Sequence, residues 1–199
     1  MPVPLKIEAC VRANFPLIHR MHSVRQLHNL ALIGFMGTGK TSVGRLVADA
    51  LHFEFLDTDE LIEKFTGRSI TEIFKKDGEA AFRALEKKVV EELATKTKTV
   101  IATGGGLPTN LENIAKLKTT ALVVCLWASE EKIWERVRHQ SHRPLLHDAE
   151  PRKKIHDLLA VRGPFYRQAD VLVNTDLRSP REVAQQIALQ FKLARRTRP

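Results

Sequence analysis

Gly34, Gly37 and Gly39 fall in the spacing G-x-x-x-x-G-K-T, closing on Lys40 and Thr41 directly behind an apolar run at 30–33. Backbone N–H groups can cradle a chain of phosphates only where no side chain intervenes, which is the use of the glycines. The lysine of such a loop reaches the terminal phosphates, and the threonine hydroxyl can ligate a metal ion. The pattern carries this meaning when a strand precedes it and a helix comes after, because the helix N-terminus adds its positive end to the site. Both are predicted here, a strand at 30–33 and a helix over 40–51. The chain therefore starts its fold as strand, loop, helix, and the loop binds a nucleoside triphosphate through Gly37, Thr38, Gly39, Lys40, Thr41 and Ser42.

The rest of the chain alternates in the same way. Short apolar strands are predicted at 54–56, 99–102, 121–126 and 171–174. A helix is expected over 79–95, with Phe82, Leu85, Val89 and Leu93 on one face. Ser129 reads as a helix cap, and Ser179 as a cap followed by a first-turn proline, Pro180. The helix behind Pro180 carries one stripe of Val183, Ala184, Ile187, Ala188 and Phe191. Strand–helix alternation predicts an α/β fold, a five-stranded parallel sheet with helices on both faces. One domain is expected over 27–191, preceded by a disordered arm at 1–26 and followed by a basic tail at 192–199.

Composition matters here for what it excludes. The 199 residues are 43% hydrophobic and 28% charged, as in a globular protein. No apolar stretch approaches the roughly 20 residues needed to cross a bilayer. A net charge of +9 suggests nucleic acid until it is located. Much of it sits at the two ends, in Lys6, Arg12, Arg20 and Arg25, and in Lys192, Arg195, Arg196 and Arg198. Without aromatic interleaving or a binding module these read as solvated tails, so neither nucleic acid nor membrane is expected as a partner. Two distant cysteines, Cys10 and Cys125, form no disulfide framework and fit the reducing cytoplasm.

The second predicted strand runs into Asp57 and Asp59, where strand ends meet ligands in open α/β sheets. Opposite a phosphate loop, one acid can hold metal-bound water while another accepts a hydroxyl proton. Arg83, on the long helix, could equally be a surface charge paired with Glu79 or Glu86 at helical spacing. Gly104, Gly105 and Gly106 directly follow a strand and permit close backbone approach to a ligand.

In order along the chain stand GFMGTGKT, DTD, GRSITEIFKKDGEAAFR, GGG, RPLL and RGPFYRQAD. From about residue 30 to 189 the sequence closely resembles the shikimate kinase family. The resemblance implies a P-loop NTPase fold of the nucleoside monophosphate kinase kind, with a mobile lid. It further implies transfer of the γ-phosphoryl group of ATP, with Mg²⁺, to the 3-hydroxyl of shikimate on the chorismate route to aromatic amino acids. Carried over residue by residue, Asp59 would hold the acceptor hydroxyl, as base or as orienting acceptor. Arg83 and Arg162 would grip the shikimate carboxylate, and the amides of Gly104, Gly105 and Gly106 would lie under the ring. Asp57 would organise the Mg²⁺ shell beside Thr41. Arg143, in RPLL, would reach the transferring phosphate from the lid, with Lys40 as the other catalytic cation. Arg136 and Pro180 would flank the adenine. A monomer is expected.

Two departures concern loops: Thr119 and Thr120 stand where the family often has a glycine, and Arg167 and Gln168 where an acid is common. Two other functions share parts of the pattern. A kinase of the same fold acting on gluconate would keep the phosphate loop without needing two arginines and three glycines. A non-catalytic relative that senses shikimate would not need Lys40, Asp57, Asp59 and Arg143 intact.

Overall fold

Every residue of β1 (Asn29–Ile33) is buried, and the strand lies in the middle of the sheet. This is the position for which a continuous apolar run is suited, since a central parallel strand is covered on both faces. The computed structural model describes residues 25–139 and 150–196. Around β1 stand β2 (Glu54–Asp57), β3 (Thr99–Ala102), β4 (Ala121–Trp127) and β5 (Val171–Asn174), in the spatial order β2-β3-β1-β4-β5. All four pairings are parallel, with Leu30 opposite both Val100 and Leu122. The five-stranded parallel sheet with flanking helices is thus present as expected.

Alternation along β1 sorts the core into two layers. Ala31 and Ile33 pack with Val90 and Leu93 of α3 (Ile70–Leu93), with Ile133 of α5 (Glu130–Val137), and with Ile155 and Tyr166 of α6 (Pro151–Tyr166). Leu30 and Leu32 face the other way, onto Val43 and Val47 of α1 (Lys40–Leu51) and Val183, Ile187 and Phe191 of α7 (Pro180–Arg196). The α7 stripe read from the sequence is buried throughout. A smaller cluster, Ile62, Ile73 and Phe82, joins α2 (Thr58–Thr66) to α3. The remaining helix, α4 (Leu111–Lys118), packs before β4.

Three features differ from the expected outline. The long helix begins at Ile70, where Ser69 and Glu72 form a reciprocal capping box. It is interrupted at Gly78, whose φ of 81° and ψ of 175° only glycine adopts readily. Its buried face is Ile73, Phe82, Glu86, Val90 and Leu93, so a glutamate sits where Leu85 was expected, and Leu85 and Val89 are only partly buried. At the C-terminus, α7 continues to Arg196, past the expected boundary at 191. Of the expected N-terminal arm, residues 1–24 lie outside the described residues. Arg25 is joined to the body: its guanidinium pairs with Asp170 at 3.0 Å and donates to the Lys118 carbonyl at 2.9 Å. No helix among the described residues is long and apolar enough to cross a membrane.

Candidate active site

Because every strand runs the same way, the carboxyl ends of β1, β2 and β3 open on one edge of the sheet. There they deliver the phosphate loop, the Asp57–Asp59 turn and the triple glycine to a single cleft of about 1230 Å³. Its walls include Gly37 to Ser42, Asp57, Asp59, Arg83, Glu86, Gly104 to Gly106, Arg136, Arg162 and Pro180. All the described residues singled out from the sequence therefore meet in one place. Arg143 and the expected lid segment around it lie outside the described residues.

The loop holds its shape through its own contacts. Gly34 has φ 138° and Gly37 φ 74°, and a Cβ on Gly34 would run into the Leu126 carbonyl. Thr38 Oγ1 donates to the Phe35 carbonyl at 2.8 Å. Lys40 Nζ donates to the carbonyls of Gly34 and Phe35, each at 2.9 Å, which curls the ammonium over the loop it is meant to serve. Gly39 caps α1 with φ 92° and no side-chain bond, leaving the first-turn N–H groups for an anion.

At the end of β2, Asp57 does two things. Its Oδ1 accepts from Asp59 N–H at 3.0 Å as the cap of α2, and its Oδ2 accepts from Thr41 Oγ1 at 3.0 Å. A hydroxyl and a carboxylate this close form a hard oxygen pair of the kind that suits a magnesium ion with its remaining waters. Asp59 points inward. Its Oδ1 is sealed from solvent with no hydrogen-bond partner in the protein. Burial pushes its carboxyl up from the usual 3.8 to about 6; Asp57 adds to the rise and Lys40 opposes it. An acid in that range is suited to exchanging a proton near neutral pH.

The glycines leave room for these side chains where they stand. A Cβ on Gly104 would lie 2.5 Å from Asp59 Oδ1, and one on Gly106 would lie 2.7 Å from Arg83 Nη1. Arg83 does pair at helical spacing, with both neighbouring acids: Nη2 with Glu79 at 2.8 Å and Nη1 with Glu86 at 2.7 Å. That pairing does not take it out of the cleft. Glu86 is 1% exposed, and burial raises its carboxyl, opposed by the Arg83 hydrogen bond. Its Oε1, like Asp59 Oδ1, is sealed and unpartnered. Two arginines and two inward acids face one another at this end. Arg162, from α6, has its guanidinium 5.8 Å from the Phe35 ring centroid.

At the other end, Arg136 reaches from α5 to the Thr175 carbonyl at 2.6 Å, the Thr175 hydroxyl at 3.0 Å and the Gly37 carbonyl at 3.2 Å. Pro180, at the start of α7, stands on the same rim. Sequence reasoning missed Glu86, because a charged residue three positions from an arginine reads as a solvated partner. It also missed Thr58, Phe74 and Tyr166; none of these carries a spacing signal that separates it from core or surface.

The family model described as shikimate kinase matches residues 36–192. The chain belongs to the shikimate kinase family. Among its relatives, the shikimate kinase of Thermodesulfovibrio yellowstonii is 46% identical over 166 residues, covering 83% of this chain and 96% of that one. The structure of shikimate kinase from Acinetobacter baumannii in complex with shikimate superposes with a TM-score of 0.80 at 42% identity, over 86% of this chain and 96% of that one. A gluconokinase from Sinorhizobium meliloti matches with a TM-score of 0.52 at 19% identity, covering 85% and 95%. That second likeness extends to the fold alone.

Proposed function

We propose that this chain is an ATP-dependent shikimate kinase, transferring the γ-phosphoryl group of ATP to the 3-hydroxyl of shikimate on the chorismate route to aromatic amino acids. The observation that carries the reading is the convergence of Asp59, Arg83, Arg162 and the triple glycine on the cleft that begins at the phosphate loop. A planar guanidinium fork suits a carboxylate, and two of them favour an acceptor that carries one. Arg83 and Arg162 hold that carboxylate in this reading. Asp59 accepts the hydrogen bond of the attacking hydroxyl and takes its proton as the bond to phosphorus forms.

Phosphoryl transfer depends on positioning and charge neutralisation. Lys40 and the amides of Gly37 to Ser42 supply these for the β- and γ-phosphates, and Arg136 and Pro180 flank the adenine. Mg²⁺, held through Thr41 and through water on Asp57, would supply neutralisation of the phosphate oxygens when bound. Arg143 joins the set from its place in RPLL. The reading extends to action as a monomer in the cytoplasm, with no nucleic acid or membrane partner. Cys125 takes no part, since it is buried and its thiol is pushed up to about 12.

The test is ADP release coupled to shikimate, with quinate and gluconate run beside it. Turnover with shikimate well above both controls is expected. Preference for gluconate would return the chain to the wider kinase fold, and ATP binding without any turnover would favour a sensing relative.

A further inference from the structure

The triple glycine is held by hydroxyls from behind, and one of them acts on a single peptide unit. Thr58 Oγ1 accepts from Gly104 N–H at 2.9 Å, so that amide is already used inside the protein. The Gly104 carbonyl accepts from Leu107 N–H at 3.2 Å, and the Gly106 carbonyl from Thr109 N–H at 3.0 Å and the Thr109 hydroxyl at 2.7 Å. The Gly105 carbonyl is held by a side chain far along the chain: Tyr166 OH donates to it at 2.7 Å. Tyr166 is 5% exposed and lines a small cavity behind the loop with Phe35, Thr38 and Leu159. It is not a wall of the cleft that holds the glycines.

A peptide group is planar, and in a trans peptide the C=O and the following N–H point in opposite directions. Holding the Gly105 oxygen toward Tyr166 therefore turns Gly106 N–H away from it. Flanked by two glycines, this peptide could also rotate over with little steric penalty. The reversed state would present a carbonyl oxygen where an anionic or hydroxylated acceptor needs a donor.

We propose that Tyr166 is a positioning residue for the acceptor: its hydroxyl selects the orientation of the Gly105–Gly106 peptide that offers Gly106 N–H as a hydrogen-bond donor. A hydrogen bond received by the carbonyl also polarises the same amide and strengthens its N–H as a donor. Burial raises the phenol well above its ordinary range, with Arg162 opposing, so the hydroxyl keeps its proton at working pH. Gly104 N–H, taken by Thr58, contributes nothing to the acceptor. The inference rests on the shikimate kinase reading and deepens it by separating the roles of the three glycines.

The experiment compares the full-length chain with Tyr166→Phe, which keeps the ring and removes the donor. Shikimate KM should rise about three- to tenfold, the effect of one neutral hydrogen bond. The ATP KM and kcat should stay within about twofold. Unchanged shikimate KM in the variant, or equal loss for both substrates together with a fall in Tm, would overturn the proposal. Should the variant fold poorly, the ¹⁵N-labelled wild-type chain carries the test alone. Added shikimate should shift the Gly106 amide resonance more than that of Gly104, and the reverse order would overturn the assignment. Wild-type turnover of shikimate is read in the same series. Its absence would count against the kinase reading and this inference together, whereas turnover with an indifferent Tyr166→Phe removes the inference alone.

Discussion

Arg83 donates to Glu86 at 2.7 Å across one turn of α3, although Glu86 is 1% exposed and its second oxygen has no partner. The buried acid fixes the guanidinium from beneath while Glu79 holds it from the solvent side at 2.8 Å. Removing the fork should cost more than softening its support. Arg83→Ala is expected to lower shikimate kcat/KM by roughly 10- to 150-fold, the range of one charge-assisted bond, with ATP affinity almost unchanged. Glu86→Gln keeps an acceptor for Arg83 and should lose less, mainly through shikimate KM. Steady-state kinetics with each substrate varied in turn decide this; collapse of ATP binding in either variant would contradict the assignment.

Asp59 offers a test by pH. Its folded value of about 6 lies above the ordinary 3.8, so the fold prefers the protonated acid. The resulting penalty is absent below about 3.8, grows as pH rises through that window, and is complete above about 6, reaching up to about 3 kcal/mol. Asp59→Asn carries no such penalty. In metal-free buffer the variant should be more stable than wild type at pH 7.5, and the difference should vanish near pH 4. Urea denaturation at the two pH values measures it. The same variant should be severely impaired in turnover, and a variant that melts earlier at pH 7.5 would show that Asp59 is not a buried liability.

Asp57 caps α2, and the proposed function also gives it a share in holding Mg²⁺ through water; the two can be separated. Asparagine caps helices about as well as aspartate, so Asp57→Asn should leave Tm nearly unchanged. Loss of charge beside Thr41 should raise the Mg²⁺ concentration for half-maximal activity about 10- to 100-fold. A magnesium titration of the initial rate reads this directly. An unaltered titration would move the metal away from Asp57.

Gly78 sits in open space, with nothing within 4 Å of a Cβ built there. Any cost of Gly78→Ala therefore comes from its backbone, at φ 81° and ψ 175°. A loss of about 1–3 kcal/mol is expected from chemical denaturation. An unaffected midpoint would mean that the break in α3 closes into helix without strain.

For Arg143 the expectation comes from the family resemblance that RPLL helps to carry. Arg143→Ala should lower kcat by about 10²–10³ while the ADP dissociation constant changes only a few-fold. Arg143→Lys should recover part of the loss, since it restores the charge without the planar fork. Wild-type rates in both would remove Arg143 from the mechanism.

The strands were readable because buried parallel strands are short apolar runs bounded by turn residues, and β3 and β5 keep the expected ends. The helices α2, α4 and α6 were not. In α6 only Ile155 and Tyr166 are buried, and Gly163 and Pro164 sit inside it, so its sequence resembles a break more than a periodic face. The phosphate loop was legible from its spacing and its strand–helix context, whereas Asp57 and Asp59 gained meaning only from standing opposite that loop. Arg83 and Arg162 needed the family resemblance, since a helix arginine has no local mark of function. Glu86, Thr58 and Tyr166 were illegible for a different reason: each matters through one contact with another side chain or a distant segment, and no periodicity encodes that.

The central place of β1 also has a consequence for how the protein is made. Its partners come much later in the chain: Leu30 pairs with Val100 on one side and Leu122 on the other. During synthesis β1 and the loop behind it emerge with neither neighbour available, leaving apolar strand edges open to the wrong partners. The nucleotide site is assembled only after β3 and β4 have left the ribosome. A chaperone that shields residues 29–33 during that interval would protect the strand that must later pair with both β3 and β4.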